Sequence, residues 1–130
     1  MAGAGEMLVL AGRSVTDEFS DHFAPEVLST FDDPYEALAA MGPNDWSNVV
    51  IGASYVGLSG LCRAVRKLQR TARVIVLCGP AMESEVRDLT RGVPSESIID
   101  DYFIYPLTND DWRKLTPACQ DAENPRNAGN

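Results

Sequence analysis

The chain has 130 residues, of which 45% are hydrophobic and 23% charged, as in an ordinary globular domain with one core. Its formal net charge of −8 argues against general nucleic-acid binding, because a phosphate backbone is held by a positive surface. No apolar run approaches the roughly 20 residues that span a bilayer, and no positively charged leader precedes the first apolar run, so we expect a cytoplasmic protein without a membrane segment.

The cysteines and the histidine offer little material for a catalytic or metal site. Cys62, Cys78 and Cys119 are odd in number and fit no zinc spacing, so we expect reduced thiols. Cys78 lies at the end of a buried strand and is predicted to be an inert core thiol instead of a redox centre. His22 is the only histidine, and its helical setting predicts a surface side chain. We therefore expect no metal and no cofactor.

Short apolar runs alternate with stretches of helical period, which predicts a parallel sheet covered by helices on both faces. The first predicted strand, Met7 to Ala11, is continuously apolar, as is typical of a central strand. Ser14 and Asp17 then form a capping signal for the first helix. Three apolar residues share one face of that helix: Val15, Phe19 and Phe23.

The second strand is predicted at Val27 to Phe31, and the following helix begins at Pro34 with Asp33 as its cap. The buried face of this second helix is predicted to contain Tyr35, Leu38 and Ala39. A break over residues 42–45 separates it from the third strand, Asn48 to Gly52.

The third helix is predicted from about Ser59 to Arg70, and its period turns three residues toward the core: Leu61, Val65 and Leu68. The fourth strand, Arg73 to Cys78, has the strongest strand pattern in the sequence. The fourth helix is predicted from about Glu83 to Arg91, and Gly92 with Pro94 ends it. Its inward residues are Val86 and Leu89.

The fifth strand is predicted at Asp101 to Tyr105, and a last short helix begins near Asn109. Its docking residues are predicted to be Trp112 and Leu115. The remaining sequence is polar and has no periodicity. We therefore predict one domain over residues 1–116, followed by a disordered tail or linker over 117–130.

Two local patterns accompany this order of strands and helices. In the run NVVIGASYVGLSGL, Gly60 stands eight residues after Gly52, and residues 99–106, which include the fifth strand, read IDDYFIYP. In both patterns and in element order, residues 7 to about 116 resemble the receiver domain of bacterial response regulators. The resemblance implies a flavodoxin-like (βα)5 α/β fold, doubly wound, with a five-stranded parallel sheet in the order 2-1-3-4-5. Tyr102 then takes the position of the receiver's switch aromatic.

The resemblance also implies that the positions of receiver chemistry hold other residues here. The two acidic residues that bind a divalent ion fall on Ala11 and Gly12, and the phosphorylated aspartate falls on Gly52. The hydroxyl residue after the fourth strand corresponds to Cys78, and the lysine before the proline corresponds to Tyr105. Phosphoryl transfer requires an oxygen nucleophile and cations that neutralise the developing charge. We therefore expect a degenerate site without phosphorylation and a protein that is not an enzyme.

Two charged surfaces are candidates for protein binding. The basic stripe of the third helix consists of four residues at i, i+3, i+4 and i+7: Arg63, Arg66, Lys67 and Arg70. An ordinary solvated helix face is the alternative interpretation of this stripe. The second surface combines the fourth helix, fifth strand and fifth helix, and its mixed charges suit a two-fold contact between copies. Its candidate residues are Arg87, Arg91, Asp100, Asp101, Arg113 and Lys114.

The sequence therefore predicts an atypical receiver domain of bacterial signal transduction that binds a protein partner, or forms a homodimer, independently of phosphorylation. The alternative is a domain that senses a small molecule or an anion at the carboxyl ends of the strands, where Arg13 is placed to meet an anion. Pocket size separates the two hypotheses: an open cavity favours sensing, and a rim filled by Tyr105 and Tyr55 favours interaction alone. A flavodoxin-like enzyme is disfavoured because the sequence contains no phosphate loop, nucleophile elbow or acid/base pair.

Overall fold

The computed structural model describes residues 6–42, 45–90 and 98–115. It contains five parallel strands: Met7–Leu10 (β1), Leu28–Phe31 (β2), Asn48–Gly52 (β3), Arg73–Cys78 (β4) and Asp101–Ile104 (β5). Five α-helices follow them in alternation: Arg13–His22 (α1), Pro34–Met41 (α2), Leu58–Leu68 (α3), Glu83–Asp88 (α4) and Asn109–Leu115 (α5). The strands form one sheet in the order β2-β1-β3-β4-β5, which confirms the predicted flavodoxin-like architecture.

The register brings the carboxyl ends of the strands to one edge of the sheet. Residues near the ends of neighbouring strands lie side by side: Leu10 with Ile51, Gly52 with Leu77, and Cys78 with Ile104. The order of winding reverses between β1 and β3, because β1 pairs with both β2 and β3. In open α/β sheets this is the place where ligand sites form.

Alternate strand residues supply two hydrophobic cores, one on each face of the sheet. One core lies beneath α1 and α5 and includes Met7, Val9, Phe19, Val50, Ile75 and Leu115. The other lies beneath α2, α3 and α4 and includes Leu8, Leu10, Met41, Val49, Val65 and Val86. The central strands are buried on both faces, which explains why their sequences are apolar runs and not alternating patterns.

Several predictions about helix ends and docking residues are confirmed. The Asp33 carboxylate accepts a 3.0 Å hydrogen bond from the Tyr35 amide, and Pro34 is the first residue of α2. Leu115 is fully buried, and Trp112 packs against Phe19 with ring centroids 4.8 Å apart. His22 is exposed as predicted, and its ring stacks on Trp112 at 3.8 Å. Helix α5 is therefore attached to the sheet through α1 as well as through its own apolar residues.

The predicted cap of α1 is wrong. The helix begins at Arg13, so Ser14 lies inside its first turn and no side chain caps it. The carbonyl of Gly12 instead accepts the amides of Val15 and Thr16, at 3.0 Å each. The short connection from β1 leaves room for only Ala11 and Gly12 before the helix, and this places the capping position on the glycine.

Leu38 and Leu61 pack against the core as predicted, but the predicted buried faces of α2 and α3 are wrong at other residues. In α2, Tyr35 is 81% exposed and Ala39 is also exposed, whereas Ala37 and Met41 are fully buried. The sheet therefore contacts the side of α2 that carries Ala37 and Met41. In α3, Val65 is buried as predicted, but Leu68 is 43% exposed because the helix ends there. Cys62, which was not predicted to face the core, is fully buried in it.

The fourth helix is shorter than predicted. A 3₁₀ turn, Pro80–Met82, precedes α4, and α4 ends at Asp88. Val86 is fully buried and Leu89 is half-buried, in agreement with their predicted inward positions. The predicted helix end at Arg91, Gly92 and Pro94, and the tail over 117–130, lie outside the described residues.

Candidate functional site

A cavity of about 220 Å³ opens at the carboxyl edge of the sheet, between β1, β3 and β4. We call it the strand-end cavity, and its lining residues are Ala11, Gly12, Val15, Gly52, Ala53, Ser54, Leu77, Cys78, Gly79, Met82 and Tyr105. The structure thus brings together all five positions that the sequence assigns to a degenerate phosphorylation site. No charged side chain is among these described lining residues.

Backbone hydrogen bonds hold the lining in place just beyond the strands. The Ala11 amide donates to the Phe31 carbonyl at 3.0 Å, and the Ala53 amide donates to the Leu77 carbonyl at 2.9 Å. The Tyr105 amide donates to the Cys78 carbonyl at 2.8 Å. The sheet ladder therefore continues for one residue past each of these strands and sets the shape of the cavity.

The two titratable groups of the cavity favour their neutral forms. Burial, with a smaller contribution from the nearby Glu83 carboxylate, raises the pKa of the Cys78 thiol. Burial and a hydrogen bond to the Glu18 carboxylate raise the pKa of Tyr105 from its ordinary 10.0 to about 12. The cavity is consequently an uncharged, mostly apolar environment at neutral pH.

Gly52 is packed closely against the end of β1. A Cβ atom at position 52 would lie 3.2 Å from the Ala11 Cβ and 3.5 Å from the Ala11 Cα. Contacts this short are rare, so any larger residue at position 52 requires Ala11 to move by a few tenths of an ångström. Ala11 is itself buried, which limits this movement.

Arg13 and Tyr55 do not lie in the strand-end cavity. Arg13 lines a separate hollow of about 170 Å³, where Asp32 and Glu36 bring negative charge beside it. The Tyr55 hydroxyl donates to the Asp32 carbonyl at 2.9 Å and so lies away from the cavity. The predicted anion contact of Arg13 is therefore not part of this site, and Tyr105 alone closes one side of the cavity.

The basic stripe of the third helix is not continuous in the structure. The Arg66 guanidinium turns inward, donates to the Ile98 and Ala72 carbonyls at 3.3 and 3.0 Å, and pairs with Asp100 at 2.7 Å. Arg70 lies beyond the end of α3, which leaves Arg63 and Lys67 as the exposed basic residues of the helix. Spacing alone could not reveal this, because the carbonyls that orient Arg66 come from other segments.

Ion pairs within the chain use most charges of the α4, β5 and α5 face. Three pairs join elements or helix turns there: Arg87 with Glu83 at 3.0 Å, Arg73 with Asp101 at 3.6 Å, and Arg113 with Asp110 at 3.0 Å. The Tyr102 hydroxyl donates to the Glu83 carboxylate at 3.1 Å and accepts from Arg87 at 3.3 Å. Lys114 is exposed, and Arg91 lies outside the described residues.

Tyr105 provides a pH-dependent test of the cavity wall. Because its pKa is raised on folding, the stabilisation by Tyr105 is complete below about pH 10 and is lost as the pH rises toward about 12. We expect wild type to lose its stability advantage over Tyr105→Phe across this interval, as measured by urea midpoints of both proteins. A difference between the two proteins that stays constant over the same interval would contradict this assignment.

No helix in the described parts of the chain is long and apolar enough to cross a membrane. Within residues 6–42, 45–90 and 98–115, no group of three or more acidic, histidine or cysteine side chains is arranged to hold a metal ion.

The sequence matches no protein-family model and no curated protein, whereas its fold is similar to several solved structures. An adenylate cyclase structure from Rhodopirellula baltica has a TM-score of 0.73 at 13% identity, over 98% of this chain and 94% of that chain. A response-regulator receiver domain protein from Methanospirillum hungatei has a TM-score of 0.66 at 14% identity, over 98% of this chain and 100% of that one. The receiver domain of an HD domain-containing protein from Pseudomonas fluorescens has a TM-score of 0.67 at 17% identity, over 94% and 95%. The chain therefore has the fold of response-regulator receiver domains.

Proposed function

We propose that this chain is an atypical receiver domain of signal transduction, that it binds a protein partner independently of phosphorylation, and that it is not an enzyme. One observation carries the proposal: the five positions of receiver chemistry meet at one cavity, and its described lining holds no charged side chain. The receiver fold supports the assignment to signalling.

The uncharged lining argues against phosphoryl transfer in this cavity. Mg²⁺ is bound through oxygen ligands that include carboxylates, and Ala11, Gly12 and Gly52 offer no side-chain oxygen. Among the described lining residues, Ser54 carries the one aliphatic hydroxyl that could accept a phosphoryl group. No described base, lysine or carboxylate lines the cavity beside it to activate this hydroxyl.

A titration with Mg²⁺ and beryllofluoride, a phosphoryl mimic, tests this part of the proposal. We expect the amide chemical shifts of Gly12, Gly52 and Cys78 to stay unchanged, because the cavity has neither an acceptor nor a metal ligand. We also expect acetyl phosphate to leave the mass of the intact protein unchanged. A receiver domain with its acceptor aspartate is the positive control for both reagents, and saturable shifts at Gly52 would overturn the proposal.

Sensing of a small molecule is the second candidate function, and the strand-end cavity itself favours it. Tyr105 forms one wall but leaves about 220 Å³ open. This volume is below the roughly 300–1,000 Å³ of ordinary ligand sites, so it suits only a small ligand. Because the lining is uncharged and Arg13 lies elsewhere, the ligand would be neutral and mostly apolar instead of anionic. Shifts of the Gly52 and Cys78 amides with small neutral compounds, and not with beryllofluoride, would favour sensing.

A further inference from the structure

A groove of about 480 Å³ lies between the start of α3 and the length of α4. We call it the α3–α4 groove, and its lining residues are Tyr55, Gly57, Leu58, Ser59, Met82, Glu85, Asp88 and Leu89. It is separate from the strand-end cavity, with which it shares only Met82. Its volume falls within the roughly 300–1,000 Å³ of ordinary ligand sites.

The floor of the α3–α4 groove is apolar and rests on the core. Leu58, Met82 and Leu89 pack against the core beneath α2, α3 and α4, and each is only partly buried. Val56 lies between the lining residues Tyr55 and Gly57 in the chain and is fully exposed. Gly57 has a positive φ of 73°, which turns the chain sharply between Val56 and the first residue of α3. Grouped apolar exposure of this kind marks a docking surface more often than scattered apolar residues do.

The charged residues of the groove are all acidic. Glu85 and Asp88 are the only charged side chains among its described lining residues, and they lie three residues apart on α4. The neighbouring cation of the helix, Arg87, is directed to the other side, where it contacts Glu83 and Tyr102. An apolar floor with a negative rim therefore complements a segment that carries apolar and basic side chains together.

We propose that the α3–α4 groove docks an amphipathic segment of a partner protein, with apolar anchors flanked by lysine or arginine. This inference rests on the proposed role as an interaction domain and names the surface and the chemistry of its partner. The apolar anchors fill the floor formed by Leu58, Met82 and Leu89, and the basic residues lie over Glu85. A helix that presents apolar residues at one-turn spacing is the usual form of such a segment.

Three synthetic fluorescent peptides test the inference on the full chain. The first is a helical peptide with leucines at one-turn spacing flanked by lysines, the second replaces the leucines by alanine, and the third replaces the lysines by glutamate. We expect saturable binding of the first peptide alone, with amide shifts concentrated at Gly57, Ser59 and Glu85. Absence of saturable binding, or shifts concentrated on β5, would overturn the inference.

Charge reversal at one position separates specific docking from attraction to an acidic protein. Glu85→Lys is expected to weaken binding of the first peptide about tenfold, because the reversed charge repels its lysines. Glu26→Lys changes the net charge by the same amount at an exposed position outside the groove, and it is expected to leave binding within about twofold. Equal losses in the two variants would show nonspecific attraction and would overturn the inference.

Val56→Ser tests the apolar part without disturbing the core, because Val56 is fully exposed. We expect severalfold weaker peptide binding and an unchanged urea midpoint.

If the groove amides instead shift with protein concentration in the absence of peptide, the occupant is a second copy and the partner assignment is wrong. The beryllofluoride titration reports separately on the strand-end cavity, so failure of the groove and failure of the proposed function give different results.

Discussion

Replacement of Arg66 by alanine is expected to destabilise the protein by about 2–3 kcal/mol, because charge-assisted hydrogen bonds are lost and the partly buried carbonyls of Ala72 and Ile98 lose a donor. The guanidinium donates to the Ile98, Ala72 and Arg70 carbonyls at 3.3, 3.0 and 3.2 Å. These contacts join the end of α3 to the segments that precede β4 and β5. The variant and wild type are compared by urea unfolding, with the midpoint as the readout.

The ion pair of Arg66 contributes less than these carbonyl contacts. The Arg66 and Asp100 side chains are 25% and 45% exposed, so solvent screens the 2.7 Å contact between them. Asp100 is nevertheless held in place, because its carboxylate also accepts a 2.8 Å hydrogen bond from the Val74 amide. Arg66→Lys is expected to be destabilised almost as much as Arg66→Ala. The planar guanidinium fork of arginine reaches several carbonyls at once, and the compact ammonium group of lysine cannot.

Arg63→Ala is the matched control for Arg66. Arg63 is exposed on the same helix, and its removal is expected to change stability by less than about 0.5 kcal/mol. If the two alanine variants unfold at the same urea concentration, Arg66 does not connect these segments as described, and the stripe is a uniform solvated face.

Replacement of Gln69 by leucine is expected to cost about 2–4 kcal/mol, because it leaves two backbone groups without a partner in a buried place. Gln69 is almost fully buried just after α3. Its side-chain carbonyl accepts from the Trp46 amide at 2.8 Å, and its side-chain amide donates to the Met41 carbonyl at 2.7 Å. This one side chain thereby joins the ends of α2 and α3 to the segment that leads into β3.

Lys67→Leu is the matched control for Gln69→Leu, because it introduces leucine at an exposed position in the last turn of α3. It is expected to change stability by less than about 0.5 kcal/mol. Gln69→Glu gives a second, pH-dependent readout. A buried carboxylate cannot donate to the Met41 carbonyl, whereas its protonated form can, so this variant should recover stability relative to wild type as the pH falls. A pH-independent difference from wild type would show that the hydrogen bond to Met41 is not the cause.

The central strands and the start of α2 follow from the sequence alone. The apolar runs of β1, β3 and β4 could be recognised because a parallel strand buried on both faces has no polar position to interrupt it. The start of α2 could be recognised because Asp33 and Pro34 act within one helical turn. These features depend on contacts between residues close together in the chain, and for that reason local patterns contain them.

The gathering of the five cavity positions was also foreseeable, but only through the resemblance to receiver domains. Nothing in the spacing of Gly52, Cys78 and Tyr105 indicates that they share a cavity. Strand order and register place them together, and the resemblance supplied that order. The openness of the cavity depends on where the Tyr105 side chain lies, which the hydrogen bond to Glu18 on α1 decides.

By itself, therefore, the sequence determined the alternation of strands and helices and the central strands of the sheet. Only the tertiary structure decided which face of α2 is buried, which arginine of α3 turns inward and where an open groove lies beside α4. The inward turn of Arg66 depends on carbonyls at Ala72 and Ile98, and the groove forms only when α3 and α4 lie side by side. Such contacts join residues far apart in the chain, and packing selects them from several arrangements that local periodicity permits equally well.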